Sequence, residues 1–223
     1  MNSSVLEIIL GAVVAIVITI LVEYLRKPKL RLRLAQASNP TYESGDRPAQ
    51  AARFLALDLV NESLPSLARW MQRNAALQCH GTITFHHLDG QNVFGRAMPV
   101  RFSETPEPVP IQVVVGETRI AILEPSRLTG ESRVDVYPGE SKRLDVAVKF
   151  DDEPESYGWS NLSYFSDPIW RNQDWRLQPG RYLVRASIVS SGETVSSLFR
   201  IVADVARTDF RLELPLPDDV VHD

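Results

Sequence analysis

An apolar run at the start of the chain limits its fold more than any other feature. Ile8–Val22 is apolar apart from Thr19, and Val5 and Leu6 extend the run past Glu7. As a helix, Val5–Val22 would span about 27 Å, close to the roughly 30 Å of bilayer hydrocarbon. Lipid offers no partner to backbone amides, so a crossing segment must be helical. A cleaved signal peptide would want a basic leader and a small-x-small exit. Residues 1–6 hold no Lys or Arg, and the run leaves through Glu23-Tyr24-Leu25-Arg26-Lys27-Pro28-Lys29, so residues 1–28 are expected to form an uncleaved transmembrane anchor.

The flanking charge predicts an orientation. Arg26, Lys27, Lys29, Arg31 and Arg33 all follow the run. Basic flanks stay in the cytoplasm, which predicts an outer N-terminus and a cytoplasmic domain over residues 29–214 at the inner or plasma membrane. Arg26, Lys27 and Lys29 could also meet anionic lipid headgroups, each contributing about 1 kcal/mol. A plain stop-transfer flank accounts for the same charges.

Inside the helix, Glu7, Gly11, Ala15, Thr19 and Glu23 recur every four residues. Successive members turn by about 40°, giving a slowly drifting stripe. Small-xxx-small spacing lets helices approach closely, so Gly11, Ala15 and Thr19 are candidates for self-association into a homo-oligomer. Chance is the competing explanation, because small residues are common in such helices.

Past Pro28 the periodicity changes to two. Leu30, Leu32 and Leu34 alternate with Arg31 and Arg33, and Leu55, Leu57 and Leu59 share one face. Cys79, Gly81, Ile83 and Phe85 oppose His80, Thr82, Thr84 and His86. Leu144, Val146, Val148 and Phe150 alternate with Arg143, Asp145, Ala147 and Lys149. Such patterns predict strands with one wet face. Shorter candidates are 111–115, 118–123, 134–137 and 210–214. A hairpin is expected where Arg181–Val189 and Thr194–Val202 flank Ser190-Ser191-Gly192-Glu193. Residues 62–78 are read as a short helix, 36–50 as a long loop and 215–223 as a flexible tail. The fold class is therefore mainly β, a sandwich preceded by one transmembrane helix.

Three short stretches carry a family resemblance. Leu177-Gln178-Pro179-Gly180-Arg181-Tyr182 resembles the tyrosine corner of immunoglobulin-like Greek-key sandwiches. Tyr137-Pro138-Gly139-Glu140 before Leu144 resembles the turn that leads into a strand in bacterial immunoglobulin-like and adhesion-module domains. Leu57–Ser63 followed by Ala76–Cys79 is similar to the paired strands that open such modules. The resemblance spans about residues 55–203 and implies the fold; it carries no activity across.

Chemistry is sparse. The phosphate-loop, dinucleotide, hydrolase-elbow and zincin spacings do not occur. His86 and His87, adjacent on a strand, point to opposite faces. Cys79 falls on an apolar face, where a buried thiol is expected. Asp151, Asp152, Glu153 and Glu155 lack the spacing of a calcium loop and read as a solvated turn. No cofactor, metal site or catalytic residue is expected. Of 24 basic and 28 acidic residues, five and two fall within 1–33, leaving a net charge of −7 on the rest. Such a surface disfavours nucleic acid.

Residues 157–175 hold three of the four tryptophans. Tyr157, Trp159, Trp170 and Trp175 are candidates for a ligand or protein surface, and a lid over the core is the competing reading. The function expected is a non-enzymatic, membrane-tethered module that binds an unidentified protein at the lipid bilayer. The alternative is an effector whose β domain senses a signal and whose helices oligomerise to perturb the bilayer.

Overall fold

The computed structural model describes residues 3–44, 47–68, 70–108, 111–115, 118–122, 132–151, 153–168 and 170–219. Helix α1 spans Ser3–Arg26. Its Glu7–Arg26 stretch is long and apolar enough to cross a membrane, and the rest of the chain buries none of it. Pro28, which lacks an amide hydrogen, stands just past its end. The first strands are β1 Leu30–Leu34, β2 Thr41–Ser44, β3 Arg47–Asn61, β4 Ala76–His86, β5 Met98–Pro99, β6 Arg101–Phe102, β7 Ile111–Val115 and β8 Thr118–Ile122. The remainder are β9 Val134–Val136, β10 Ser141–Phe150, β11 Ser156–Gly158, β12 Arg176–Leu177, β13 Arg181–Val189, β14 Thr194–Val202 and β15 Arg211–Glu213.

They form two antiparallel sheets and a separate β7–β8 hairpin. One sheet runs β1-β3-β10-β11-β12, with β2 beside β3 and β6 beside β10. The other runs β15-β14-β13-β4-β5, with β9 beside β4. Between them lies the main core, where Leu55, Leu57 and Leu59 join Ile83, Phe85, Val184, Ala186 and Ile188 in one buried cluster. Alternation did this: each of these residues is the apolar half of a period-two stretch. The hairpin forms with the expected ends, from Arg181↔Val202 to Val189↔Thr194. The Tyr182 hydroxyl donates to the Gln178 carbonyl at 3.0 Å, which is the bond a tyrosine corner requires.

Strand β10 departs from its simple alternation. Asp145 pairs with Ala56 but Ala147 pairs with Leu55, so Val146 is an extra residue in a bulge. Val146 and Ala147 therefore both join the main core. Beyond the bulge the phase inverts, because a one-residue slip sends every later side chain to the other face. Val148 and Phe150 then belong to a second cluster with Ala52, Tyr157, Trp159 and Tyr164. The expected wet face of β10 is thus covered, and all residues from Leu144 to Phe150 are buried.

Other expectations need correction. Residues 36–50 are not one loop: β2 pairs with β3 at Thr41↔Ala51 and Tyr42↔Gln50, and cross-strand pairing outweighs weak local propensity. Residues 62–78 hold only a 3₁₀ turn at Ser66–Ala68 before β4 begins at Ala76. Trp70, meant for the apolar face of that helix, is 78% exposed with no core to meet. Of the 215–223 tail, residues 220–223 lie outside the described residues. Asp219 accepts from the Leu216 amide at 2.6 Å and sits 3.5 Å from Arg200, which is itself buried.

Gly81 lies on β4, paired with Ile188 of β13. A Cβ there would overlap the Ser187 carbonyl oxygen and stand 2.9 Å from the Ile188 Cα, both backbone atoms. Gly81→Ala should lower stability by about 3 kcal/mol, read as a lower denaturation midpoint of the detergent-solubilised chain. Gly192→Ala, with its nearest neighbour at 4.0 Å, should leave the midpoint nearly unchanged.

Candidate functional site at the helix–domain junction

A helix leaves its last four carbonyls without intrahelical donors. Here the β domain supplies donors to two of them, and to the carbonyl of Lys27 just past the helix end. The Asn74 amide donates to the Arg26 carbonyl at 2.6 Å. The Arg73 guanidinium donates to the carbonyls of Leu25 at 3.1 Å and Lys27 at 2.9 Å. A cation at this end also opposes the negative pole of the helix dipole.

Asn61 locks the same place from the sheet side. It is fully buried at the end of β3, and its side-chain oxygen accepts from the Lys29 amide at 3.1 Å. Its side-chain nitrogen donates to the carbonyls of Asn74 at 3.0 Å and Val136 at 3.1 Å. One amide thus joins the linker, the 62–75 segment and β9. The turn between β13 and β14 completes the junction, where the Glu193 carboxylate accepts from the Leu30 amide at 2.9 Å.

The basic flank divides at this junction. Lys29, Arg31 and Arg33 surround the Glu62 carboxylate at 3.3, 2.9 and 3.1 Å. Partial burial pushes Glu62 upward, but the Lys29 hydrogen bond and the charge of Arg31 outweigh it and hold the carboxyl below its ordinary value. Arg26 sits 3.9 Å from Glu23. Lys27 is exposed and, with Lys29 and Arg73, lines a cavity of about 380 Å³ that also touches Tyr24, Pro28 and Glu193.

The other predicted positions lie apart from this junction. Gly11, Ala15 and Thr19 are exposed on α1, and a Cβ on Gly11 would meet nothing within 4 Å. The Thr19 hydroxyl is satisfied within the helix by the Ala15 carbonyl at 2.9 Å. The aromatic segment turns inward. Tyr157, Trp159 and Trp175 are buried and Trp170 is half-buried. Trp159 packs edge-on against Phe54 at 4.9 Å and Trp170 at 5.5 Å, in the second cluster on the outer face of β3 and β10. Trp175 belongs instead to the main core, 5.0 Å from Phe94. Desolvation by burial pushes the hydroxyls of Tyr157 and Tyr164 up to about 12. The rings expected to meet a partner are largely occupied by one another, because the phase change in β10 left Val148 and Phe150 to be covered.

The titratable groups with disturbed environments are structural. Burial raises the Asp145 carboxyl despite the Ser103 hydroxyl at 2.7 Å and Arg101 at 3.6 Å. Arg101 also reaches Thr105 Oγ1 at 3.0 Å and lies 5.2 Å from the Tyr164 ring, tying the 161–165 turn to the sheet. Buried Lys149 has its ammonium pKa lowered by desolvation and donates to the carbonyls of Pro154 and Ala203. Burial, helped by the charge of Asp135, pushes the Cys79 thiol up to about 11, which leaves it protonated and unreactive at neutral pH. The expected solvated acidic turn is tied down: Glu153 pairs with Arg171 at 2.6 Å, and Asp151 pairs with Arg207. His86 lies 3.0 Å from the Gly90 carbonyl and 2.8 Å from the Thr84 hydroxyl. Asn61 and Asn161, which match glycan-acceptor spacing, are both buried.

Sequence reasoning missed Arg73, Asn74, Asn61, Glu62 and Glu193 as junction residues. They are distant in sequence and none has a motif; only the density of cations after α1 hinted that a carboxylate would answer them.

No protein-family profile matches the chain, and no curated protein matches it. Among solved structures, the X-ray structure of a Northeast Structural Genomics Consortium target aligns with 10% identity over 78% of this chain and 86% of that one, at a TM-score of 0.26.

The Glu62 cluster makes the junction acid-sensitive. A carboxyl whose folded pKa is lowered contributes stability that is complete above the ordinary carboxylate range of about 4.3 and is lost as pH falls through the folded value. Glu62→Gln should therefore be less stable than the parent chain at pH 7. The gap between their denaturation midpoints should narrow as pH drops below about 4; a pH-independent gap would contradict the assignment.

Proposed function

We propose that this chain is a membrane-tethered, non-enzymatic interaction module whose immunoglobulin-like domain works at the cytoplasmic face. The observation that supports this reading is the bonding of the α1 carboxyl end into the domain by Arg73, Asn74 and Asn61. A helix held this way keeps the sandwich seated against the bilayer instead of trailing on a tether. The basic residues after the helix supply the orientation. The tyrosine corner at Tyr182 supports the immunoglobulin-like assignment, which passes on fold and no activity.

Gly11, Ala15 and Thr19 favour a second reading. Their stripe is open, and a domain fixed to the helix would transmit a bound signal to it, as an effector that associates and perturbs the bilayer must.

A reporter fused after Asp223 tests the first reading: a cytoplasm-dependent reporter should be active, and activity only of a periplasm-dependent one overturns the orientation. Overexpression separates the two readings. The module predicts harmless expression and a protein that co-purifies with the crosslinked full-length chain. Toxicity abolished by deleting residues 1–27 would select the effector.

A further inference from the structure

The cavity at the junction has the depth, charge and chemistry of a phospholipid headgroup site. It opens beside Tyr24 and Leu25 in the last turn of α1, where a crossing helix reaches the headgroup layer. Its volume of about 380 Å³ falls within the roughly 300–1,000 Å³ of small-molecule pockets. Three cations line it: Lys27, Lys29 and Arg73. The single carboxylate of the lining, Glu193, is already engaged by the Leu30 amide.

The cations are not all used by the chain. Lys29 is shared with Glu62, whereas no carboxylate among the described residues pairs with the exposed Lys27 ammonium. The Arg73 Nε is shielded from water and has no hydrogen-bond partner among the described residues. Arg73 nonetheless stands in the cavity lining, and a phosphate is a group an arginine guanidinium suits well.

Two exposed aromatic residues stand close to the cavity residues along the chain. Tyr24 is 68% exposed, and Trp70, three residues before Arg73, is 78% exposed. Every other described tryptophan is buried or half-buried. Exposed Trp and Tyr beside a membrane helix are the residues that settle among headgroups.

We propose that the junction cavity binds the phosphate of an anionic phospholipid through Lys27, Lys29 and Arg73, with Tyr24 and Trp70 in the interfacial layer around it. The site rests on the membrane-tethered reading above and adds to it a defined lipid ligand. Bound there, the lipid would fix the domain's attitude on the bilayer by bridging α1, the 62–75 segment and the linker.

Native mass spectrometry of the full-length chain in detergent, titrated with phosphatidylglycerol or phosphatidylcholine, tests this. The expected result is one tightly held phosphatidylglycerol, retained at least tenfold better than phosphatidylcholine. Lys27→Gln, which leaves the backbone bonds of the junction in place, should lower that retention several-fold, and Arg73→Gln should lower it further. Arg26→Gln removes the same charge from the same flank but outside the cavity, and should retain the lipid as the parent does. Equal retention of the two lipids, or equal losses in Lys27→Gln and Arg26→Gln, would overturn the site. Displacement of the lipid by millimolar inorganic phosphate would show a free-phosphate site and overturn the lipid assignment. Membrane extraction and reporter topology read the tether and not the bound lipid, so equal retention of the two lipids by a parent chain that remains membrane-bound sinks this inference alone.

Discussion

Only Lys27, Pro28 and Lys29 separate the end of α1 from β1, and the carbonyls that end the helix must find donors within that short space. Water could supply them. Here the β domain does, through Arg73 and the Asn74 amide. Once those bonds form, the first sheet has a fixed origin: β1 begins beside the helix end, and Asn61 at the far end of β3 closes back onto the same linker. The net contribution of each such bond is about 1 kcal/mol, more for the charged donor. Their collective effect is geometric, because they leave the linker no freedom to swing.

The second organising event is the bulge at Val146. A regular β10 would have had a buried face and a wet one. The extra residue places Val146 and Ala147 together in the main core and turns Val148 and Phe150 outward. Two large apolar side chains on an outer face need cover, and the aromatic segment after β11 provides it. Arg171 lies 3.9 Å from the Phe150 ring and pairs with Glu153, closing the edge of this second cluster. Trp159 and Trp170 thus pack over Val148 and Phe150, whereas Trp175 belongs to the main core.

Much of the sandwich was legible in the chain because strand period is a local property. The β13–β14 hairpin, the inward faces of β3 and β4, and the Tyr182–Gln178 bond all derive from alternation or from a short motif. The two-residue strands β5, β6 and β12 are too short to display a period and were invisible. The 62–78 segment misled because Leu67, Trp70 and Met71 have helical spacing. Spacing signals a helix only where there is a core for the stripe to face, and Trp70 faces none.

Three properties were written into the order of residues before any folding. One segment is long and apolar enough to cross a membrane, cations crowd its exit, and the residues beyond Pro28 alternate as strands. Each is a consequence of composition and of neighbours along the chain. Three others arose only when distant parts of the chain met: the carboxylate that gathers Lys29, Arg31 and Arg33, the arginine that covers the helix end, and the inward packing of the aromatic rings. Each of those outcomes joins residues dozens of positions apart, or turns on a single bulged residue whose phase change is not written in the local pattern.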